Sequence, residues 1–148
     1  MLFPLIQQHS IHGIAQASAA EIDELNSHHA TLLAMRRAFD NTPSPQRGEG
    51  WSEGALILVD GKFTPPNLPY PAQALVNGDS LSLPIAAASI LAKVTRDRIM
   101  AELHHAHPQY GWIKNAGYGT AEHLNALQTH GITPHHRRSF APVRALAA

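Results

Sequence analysis

Apolar residues recur at every third or fourth position over three stretches of the chain, a spacing that predicts amphipathic helices. The stretches are approximately residues 21–39, 82–107 and 120–130. Ser18 precedes Glu21 by three positions, which is the spacing of a capping box, so the first helix is expected to begin there. The other two are expected to begin at Ser82 and Thr120, whose hydroxyl groups are suited to cap a helix.

Three shorter apolar segments have no helical spacing and predict β-strands. They are residues 11–18, 55–59 and 74–76. Asp60 follows the second segment directly, and Asp79 follows the third after the turn residues Asn77 and Gly78. In an open α/β sheet, ligands bind at the carboxyl ends of the strands. The pattern therefore predicts an α/β fold, with helices flanking a sheet and two carboxylates at one edge of it.

Asp60 and Asp79 are the candidate catalytic and metal-binding residues. Two carboxylates brought together repel each other unless a cation lies between them, and Mg²⁺ and Mn²⁺ prefer oxygen ligands of this kind. The spacing alone leaves another interpretation open, in which each aspartate only ends a strand or forms an Asx turn. The histidine clusters lack the i,i+4 pair and third ligand that zinc hydrolases use, so no zinc site is expected.

Length and composition indicate one domain over residues 1–148. Residues 41–54 are rich in Pro, Gly, Ser and charged residues, and we interpret them as a flexible insertion. Residues 131–148 are basic and punctuated by proline, and we interpret them as a C-terminal tail.

Cysteine content and charge narrow the functional classes. The chain has no cysteine, which excludes a disulfide framework, and no apolar segment approaches transmembrane length. Its first residues lack the basic stretch of a signal peptide, so a cytoplasmic protein is expected. Residues 1–61 hold three basic against seven acidic residues, whereas residues 62–148 hold eight against four. The basic C-terminal half is compatible with a polyanion such as nucleic acid.

Several short motifs follow one another along the chain in a distinctive order. They are VDG, NGD, IAAASILAKVTRDR, HPQYGW, AGYGT, EHL and GITPHHRRSFAPV, with EIDELN and ATLLAMRRAF upstream. In this order they resemble bacterial ribonuclease HII, the type 2 ribonuclease H. The resemblance covers nearly the whole chain apart from residues 41–54, and it implies a ribonuclease H-like sheet flanked by helices.

The resemblance also implies an activity. Members of this family are endonucleases that cut the RNA strand of RNA–DNA hybrids, including single ribonucleotides in DNA, and they serve DNA replication and repair. Four carboxylates hold Mg²⁺ or Mn²⁺ for phosphodiester hydrolysis, and Asp60 and Asp79 match two of them. Tyr118 matches the tyrosine that packs on the sugar next to the cut. Lys93 and Arg96 are candidate phosphate contacts, although exposed helix cations are often only solvated. A monomer is expected.

One block of the family pattern has no counterpart in the sequence. The family begins with a strand that carries an Asp-Glu pair followed by Val-Gly-Arg-Gly-Pro, and that block supplies the other two carboxylates. The chain is therefore expected to be a truncated copy that lacks the N-terminal strands of the sheet. Two hypotheses stay open: a metal-dependent endonuclease, and a catalytically inactive remnant that at most binds hybrid nucleic acid.

Overall fold

The computed structural model describes residues 2–43 and 54–147. Within them, helices and a small parallel sheet form a fold of the expected α/β class. In chain order the elements are α1 (Leu2–His9), α2 (Ala19–Asp40), β1 (Ile57–Asp60), β2 (Ala72–Leu75), α3 (Gly78–Leu81), α4 (Leu83–Ala106), α5 (Trp112–Asn115), α6 (Ala121–His130) and α7 (Ala141–Ala147). A 3-10 turn over Pro108–Tyr110 precedes α5. Most of the predicted insertion at residues 41–54 lies outside the described residues.

The sheet of the described chain consists of β1 and β2, which run parallel. Ile57 lies opposite Ala72, and Asp60 lies opposite Leu75. Parallel strands need a long connection, which residues 61–71 supply with a proline-rich loop instead of a helix. Both strands therefore end at the same edge of the sheet, where Asp60 is the last residue of β1.

Helix α2 confirms the predicted capping box. The backbone N–H and hydroxyl of Ser18 donate to Glu21 Oε2 at 2.8 and 3.0 Å, and the Glu21 N–H donates back to Ser18 Oγ at 3.2 Å. The sequence did not indicate the kink at Asn26, which has φ 67° and ψ 166°. Asn26 Oδ1 accepts hydrogen bonds from the N–H groups of His28 and His29, at 2.9 and 3.1 Å. Asn26 therefore caps the second half of α2.

The described residues cluster into two compact units. Unit 1 comprises Met1–Gln16 and Thr31–Lys93, and unit 2 comprises Ala17–Ala30 and Val94–Ala148. The core of unit 2 is an apolar cluster that five buried residues form: Tyr110, Trp112, Ala126, Leu127 and Val143. The Tyr110 and Trp112 rings stack with their centroids 5.0 Å apart. Unit 1 contains the sheet, and unit 2 contains α5, α6 and α7.

The predicted strand over residues 11–18 is wrong, because this segment has no regular structure. Its carbonyl groups bind side chains at the end of α2 instead of a neighbouring strand. Asn41 Nδ2 donates to the carbonyl of Ile14 at 3.2 Å, and Arg37 Nη1 donates to that of Gln16 at 3.3 Å. Two carbonyl groups of the segment thus have hydrogen-bond partners outside the sheet.

The two ends of the described chain are helical. Helix α1 includes Pro4 in its first turn, where the missing N–H costs no intrahelical hydrogen bond. The segment interpreted as a C-terminal tail ends in α7. Over residues 2–43 and 54–147, no helix combines the length and apolar character that crossing a bilayer requires.

Candidate active site

Asp60 and Asp79 lie at one edge of the sheet in unit 1. Asp60 ends β1, and Asp79 is in the first turn of α3, shortly after the end of β2. Asp60 Oδ1 accepts a hydrogen bond of 2.8 Å from the backbone N–H of Gly78, which directly precedes Asp79. One carboxylate thus binds the peptide beside the other, and the structure brings the two predicted residues together.

The short turn before α3 makes this approach possible. Asn77 adopts a left-handed backbone with φ 57°, a conformation that asparagine tolerates better than most residues. Gly78 is buried, and a Cβ atom added to it would lie 2.8 Å from Ile85 Cδ1 and 3.2 Å from Asp60 Oδ1. Only glycine fits this position without displacing its neighbours. The Asn-Gly sequence therefore turns the chain from β2 into α3 and holds Asp79 near Asp60.

The two carboxylates fit part of the ligand set of a hard divalent cation. Both residues are exposed, and neither forms an ion pair with a basic side chain of the described chain. Magnesium is commonly held by one or two carboxylates while waters and substrate phosphates complete its shell. Among residues 2–43 and 54–147, no group of three or more histidine, cysteine or acidic residues is arranged to hold a metal ion. The pair thus suits one cation that keeps other ligands from solvent or substrate.

Tyr118 and Arg96 form a second group of predicted site residues, in unit 2. The Tyr118 side chain is on the surface, with 66 % of the residue exposed. Arg96 Cζ lies 5.5 Å from the centroid of the Tyr118 ring, within the range of a cation–π contact. Arg96 Nη2 also donates a 2.7 Å hydrogen bond to the carbonyl of Ala116, whose φ of 48° is left-handed. Arg96 therefore both supports the turn before Tyr118 and lies beside its ring.

The segment before α7 adds a positive charge that Asp23 helps to place. Asp23 accepts the N–H groups of Arg138 and Ser139, both at 2.8 Å, and the Ser139 hydroxyl at 2.7 Å. Partial burial raises the pKa of Asp23, but these hydrogen bonds outweigh it and hold the pKa below its ordinary value. Arg137 Cζ lies 3.7 Å from the centroid of the Phe140 ring. Burial lowers the pKa of the Arg137 guanidinium, and the charge of Arg96 lowers it further.

Two buried histidines connect the core of unit 2 to the backbone of Tyr118. His123 Nδ1 lies 2.9 Å from the Tyr118 carbonyl oxygen. His123 Nε2 lies 3.3 Å from Trp112 Nε1 and 3.2 Å from His136 Nε2. The N–H of Thr133 donates to His136 Nδ1 at 3.0 Å. Burial lowers the pKa of His136 to about 4, and the neighbouring His123 lowers it as well.

Comparison with known proteins decides the family. The family model described as Ribonuclease HII matches residues 1–143. The chain belongs to the ribonuclease HII family. A ribonuclease HII of Magnetococcus marinus is 53% identical over 149 residues, which cover 98% of this chain and 65% of that relative. Relatives of the same name in Paramagnetospirillum magneticum and Rhodospirillum rubrum are 54% and 57% identical, over 96% and 92% of this chain.

The chain spans only part of these ribonuclease HII relatives. It covers 65%, 66% and 58% of the lengths of the three proteins named above. The matches to the family model and to these relatives establish family membership and the ribonuclease H-like fold class for this chain.

The predicted site residues of this chain fall into both units. Asp60, Asp79 and Lys93 belong to unit 1, whereas Arg96 and Tyr118 belong to unit 2. The structure brings Asp60 together with Asp79, and Arg96 together with Tyr118. Lys93 is an exposed residue of α4.

The sequence reasoning missed the residues that support Tyr118. No sequence pattern pairs His123 with His136, because neither adjacent nor scattered histidines have a spacing that indicates a contact. The EHL and PHH motifs contain them, so their place in family motifs was the available indication. No local pattern indicates a role for Asp23, because its partners Arg138 and Ser139 are more than 100 positions away.

Proposed function

We propose that this chain carries part of a ribonuclease HII active site and acts on RNA–DNA hybrids or on single ribonucleotides in duplex DNA. The observation that carries the proposal is the pairing of Asp60 with the Gly78 peptide beside Asp79 in a chain of this family. It brings two carboxylates to the carboxyl edge of the strands, which is where α/β sheets bind ligands.

In this proposal each residue has a separate task. Asp60 and Asp79 would hold Mg²⁺ or Mn²⁺ by their carboxylate oxygens. The ion, when bound, supplies a Lewis acid that activates water and stabilises the leaving oxygen of the cut strand. The exposed ring of Tyr118 packs on the sugar at the junction between ribonucleotide and DNA, a contact that needs no base readout. Arg96 and Lys93 contact backbone phosphates.

A second candidate function follows from the partial ligand set. In the described part of the chain, no third carboxylate or histidine joins Asp60 and Asp79 in a metal-binding group. Two metal ions are the usual arrangement for in-line displacement at a phosphodiester, and two carboxylates supply little charge to hold them. A chain with this site would bind ribonucleotide-containing duplex through unit 2 without cutting it.

Cleavage and binding are measured separately to distinguish the two functions. The chain is incubated with Mn²⁺ or Mg²⁺ and a labelled DNA duplex that contains one ribonucleotide, and products are resolved on a denaturing gel. The variants are Asp60→Asn and Asp79→Asn, with Asp40→Asn as the control. Asp40 is a surface carboxylate paired with Arg36 at 3.0 Å, so its loss costs little stability.

Cleavage that both site variants abolish and Asp40→Asn retains would support the endonuclease. Binding without cleavage, measured by fluorescence anisotropy in Ca²⁺ and weakened by Tyr118→Ala, would support the non-cutting function. Calorimetric titration of Mn²⁺ into the nucleic-acid-free chain tests the metal site directly, because Asp60→Asn and Asp79→Asn should both remove the heat of binding. If the chain shows no cleavage and binds the ribonucleotide duplex no more tightly than an all-DNA duplex, both functions are overturned.

A further inference from the structure

The contacts of the buried histidines fix where their protons lie. The indole nitrogen of Trp112 can only donate, so His123 Nε2, at 3.3 Å, must accept. His136 Nδ1 accepts from the Thr133 N–H, so a neutral His136 carries its proton on Nε2 and donates it to His123 Nε2. With Nε2 occupied as an acceptor, neutral His123 carries its proton on Nδ1. It therefore donates to the Tyr118 carbonyl at 2.9 Å.

The turn that presents Tyr118 is held by three side chains. Arg96 donates to the Ala116 carbonyl at 2.7 Å, Asn115 Oδ1 accepts the Gly117 N–H at 2.9 Å, and His123 donates to the Tyr118 carbonyl. His123 has only 4 % of its surface exposed, whereas Tyr118 has 66 % exposed. The His123 imidazole thus connects the buried interior of unit 2 to the backbone of the exposed residue Tyr118.

We propose that His123, oriented by Trp112 and His136, is a positioning residue that fixes the backbone of Tyr118 and so sets how its ring meets the sugar of a ribonucleotide. This inference rests on the proposed function. His123 touches no substrate in this role, since it acts through the carbonyl of Tyr118. The fixed tautomer is essential, because only a proton on Nδ1 makes the imidazole a donor to that carbonyl.

Two conservative substitutions separate positioning from packing. In His123→Asn, the side-chain amide nitrogen can occupy the place of Nδ1 and still donate to the Tyr118 carbonyl, but nothing replaces Nε2. In His123→Gln, the longer side chain can place an oxygen at the Nε2 position to accept from Trp112 and His136, but the bond to Tyr118 is lost. Each variant keeps one half of the network and loses the other.

The first measurement needs no nucleic acid. The amide of Gly119 belongs to the same peptide unit as the Tyr118 carbonyl, so its nitrogen resonance reports the hydrogen bond from His123. We expect His123→Gln to shift this resonance strongly and His123→Asn to leave it near the wild-type position. Equal shifts in both variants would overturn the positioning role, whether or not the protein acts on nucleic acid.

The second measurement uses a labelled DNA duplex with one ribonucleotide and a matched all-DNA duplex, in Ca²⁺. The quantity compared is the ratio of the two affinities. A smaller fraction of folded protein lowers both affinities equally and leaves this ratio unchanged. We expect His123→Gln to reduce the ratio about five-fold, as loss of one positioning hydrogen bond implies, and His123→Asn to retain it. If the affinity ratio falls in both His123→Gln and His123→Asn, in proportion to the stability that each variant loses, the positioning role is refuted. A wild-type ratio near unity would refute the proposed function instead, and the Gly119 resonance would still decide whether His123 holds the turn.

Discussion

Acidification from pH 7 to pH 5 should destabilise unit 2 through His136. Burial holds the pKa of this imidazole at about 4, whereas its ordinary value is 6.5. A histidine with a depressed pKa contributes stability that is fully present above its ordinary pKa and is lost as the pH falls toward the folded value. Between pH 6.5 and about pH 4, His136 binds a proton in the unfolded chain but not in the folded chain.

The size of the effect follows from the two pKa values. The full shift corresponds to about 3 kcal/mol, and the portion lost between pH 7 and pH 5 is about 2 kcal/mol. The structural reason is that His136 has no room for a second proton, since Nδ1 faces the N–H of Thr133 at 3.0 Å. The neighbouring His123, His135 and His107 lower the pKa of His136 further.

Urea unfolding followed by the fluorescence of Trp112 measures this stability. Trp112 is 2 % exposed and packs in the same cluster, and Trp51→Phe leaves it as the sole tryptophan of the chain. The comparison variant is His136→Asn, whose side-chain oxygen can still accept from Thr133 but cannot titrate. We expect the free-energy gap between the parent and His136→Asn to shrink by about 2 kcal/mol from pH 7 to pH 5. A gap that is independent of pH would refute the reasoning.

Two further predictions concern single contacts. Gly78→Ala should destabilise unit 1 by about 1 kcal/mol, because the new methyl group would displace Ile85 Cδ1 and would also lie 3.2 Å from Asp60 Oδ1 and 3.3 Å from Leu75 Cβ. Gly119→Ala is the matched control in thermal unfolding, since its nearest neighbour would be 3.9 Å away, and equal losses in both would contradict the prediction. Asp23→Asn should cost about 1–3 kcal/mol at pH 7, because a charged acceptor of three hydrogen bonds becomes neutral. Since the pKa of Asp23 is depressed, this cost should diminish as the pH falls below about 4. Chemical denaturation of the parent and of Asp23→Asn checks this, and a stability difference of the same size at pH 7 and pH 3 would contradict the role of the Asp23 charge.

Local signals in the sequence predicted the secondary structure where the side chain and its partner are close along the chain. The capping box of α2 needs only Ser18 and Glu21, and the N-cap of α6 needs only Thr120, whose hydroxyl accepts the His123 N–H at 3.3 Å. The strand that ends at Asp60 was predicted from an equally local signal, a short apolar run without helical spacing.

Features that depend on distant residues were not predictable in this way. Residues 11–18 have the apolar pattern of a strand, but their carbonyls meet side chains of the α2 terminus, a pairing that no local pattern encodes. The acidic anchor Asp23 binds Arg138 and Ser139 across more than 100 positions. Asp60 and Asp79 followed from the ends of the predicted strands and Tyr118 from motif order, whereas the supporting histidines emerged only from the packing of unit 2.

The hydrogen bond from Gly78 to Asp60 also bears on the chemical ageing of the protein. An Asn-Gly sequence is prone to deamidation, because the glycine nitrogen can attack the asparagine side chain and close a succinimide. Here that nitrogen belongs to a buried residue and its proton is donated to Asp60 Oδ1 at 2.8 Å, so the native turn shields Asn77 from the reaction. Opening of the turn would allow the ring to form, and its hydrolysis would leave a third acid at the edge that already bears Asp60 and Asp79. The number of acidic groups at this edge of the sheet would therefore increase as a protein sample ages.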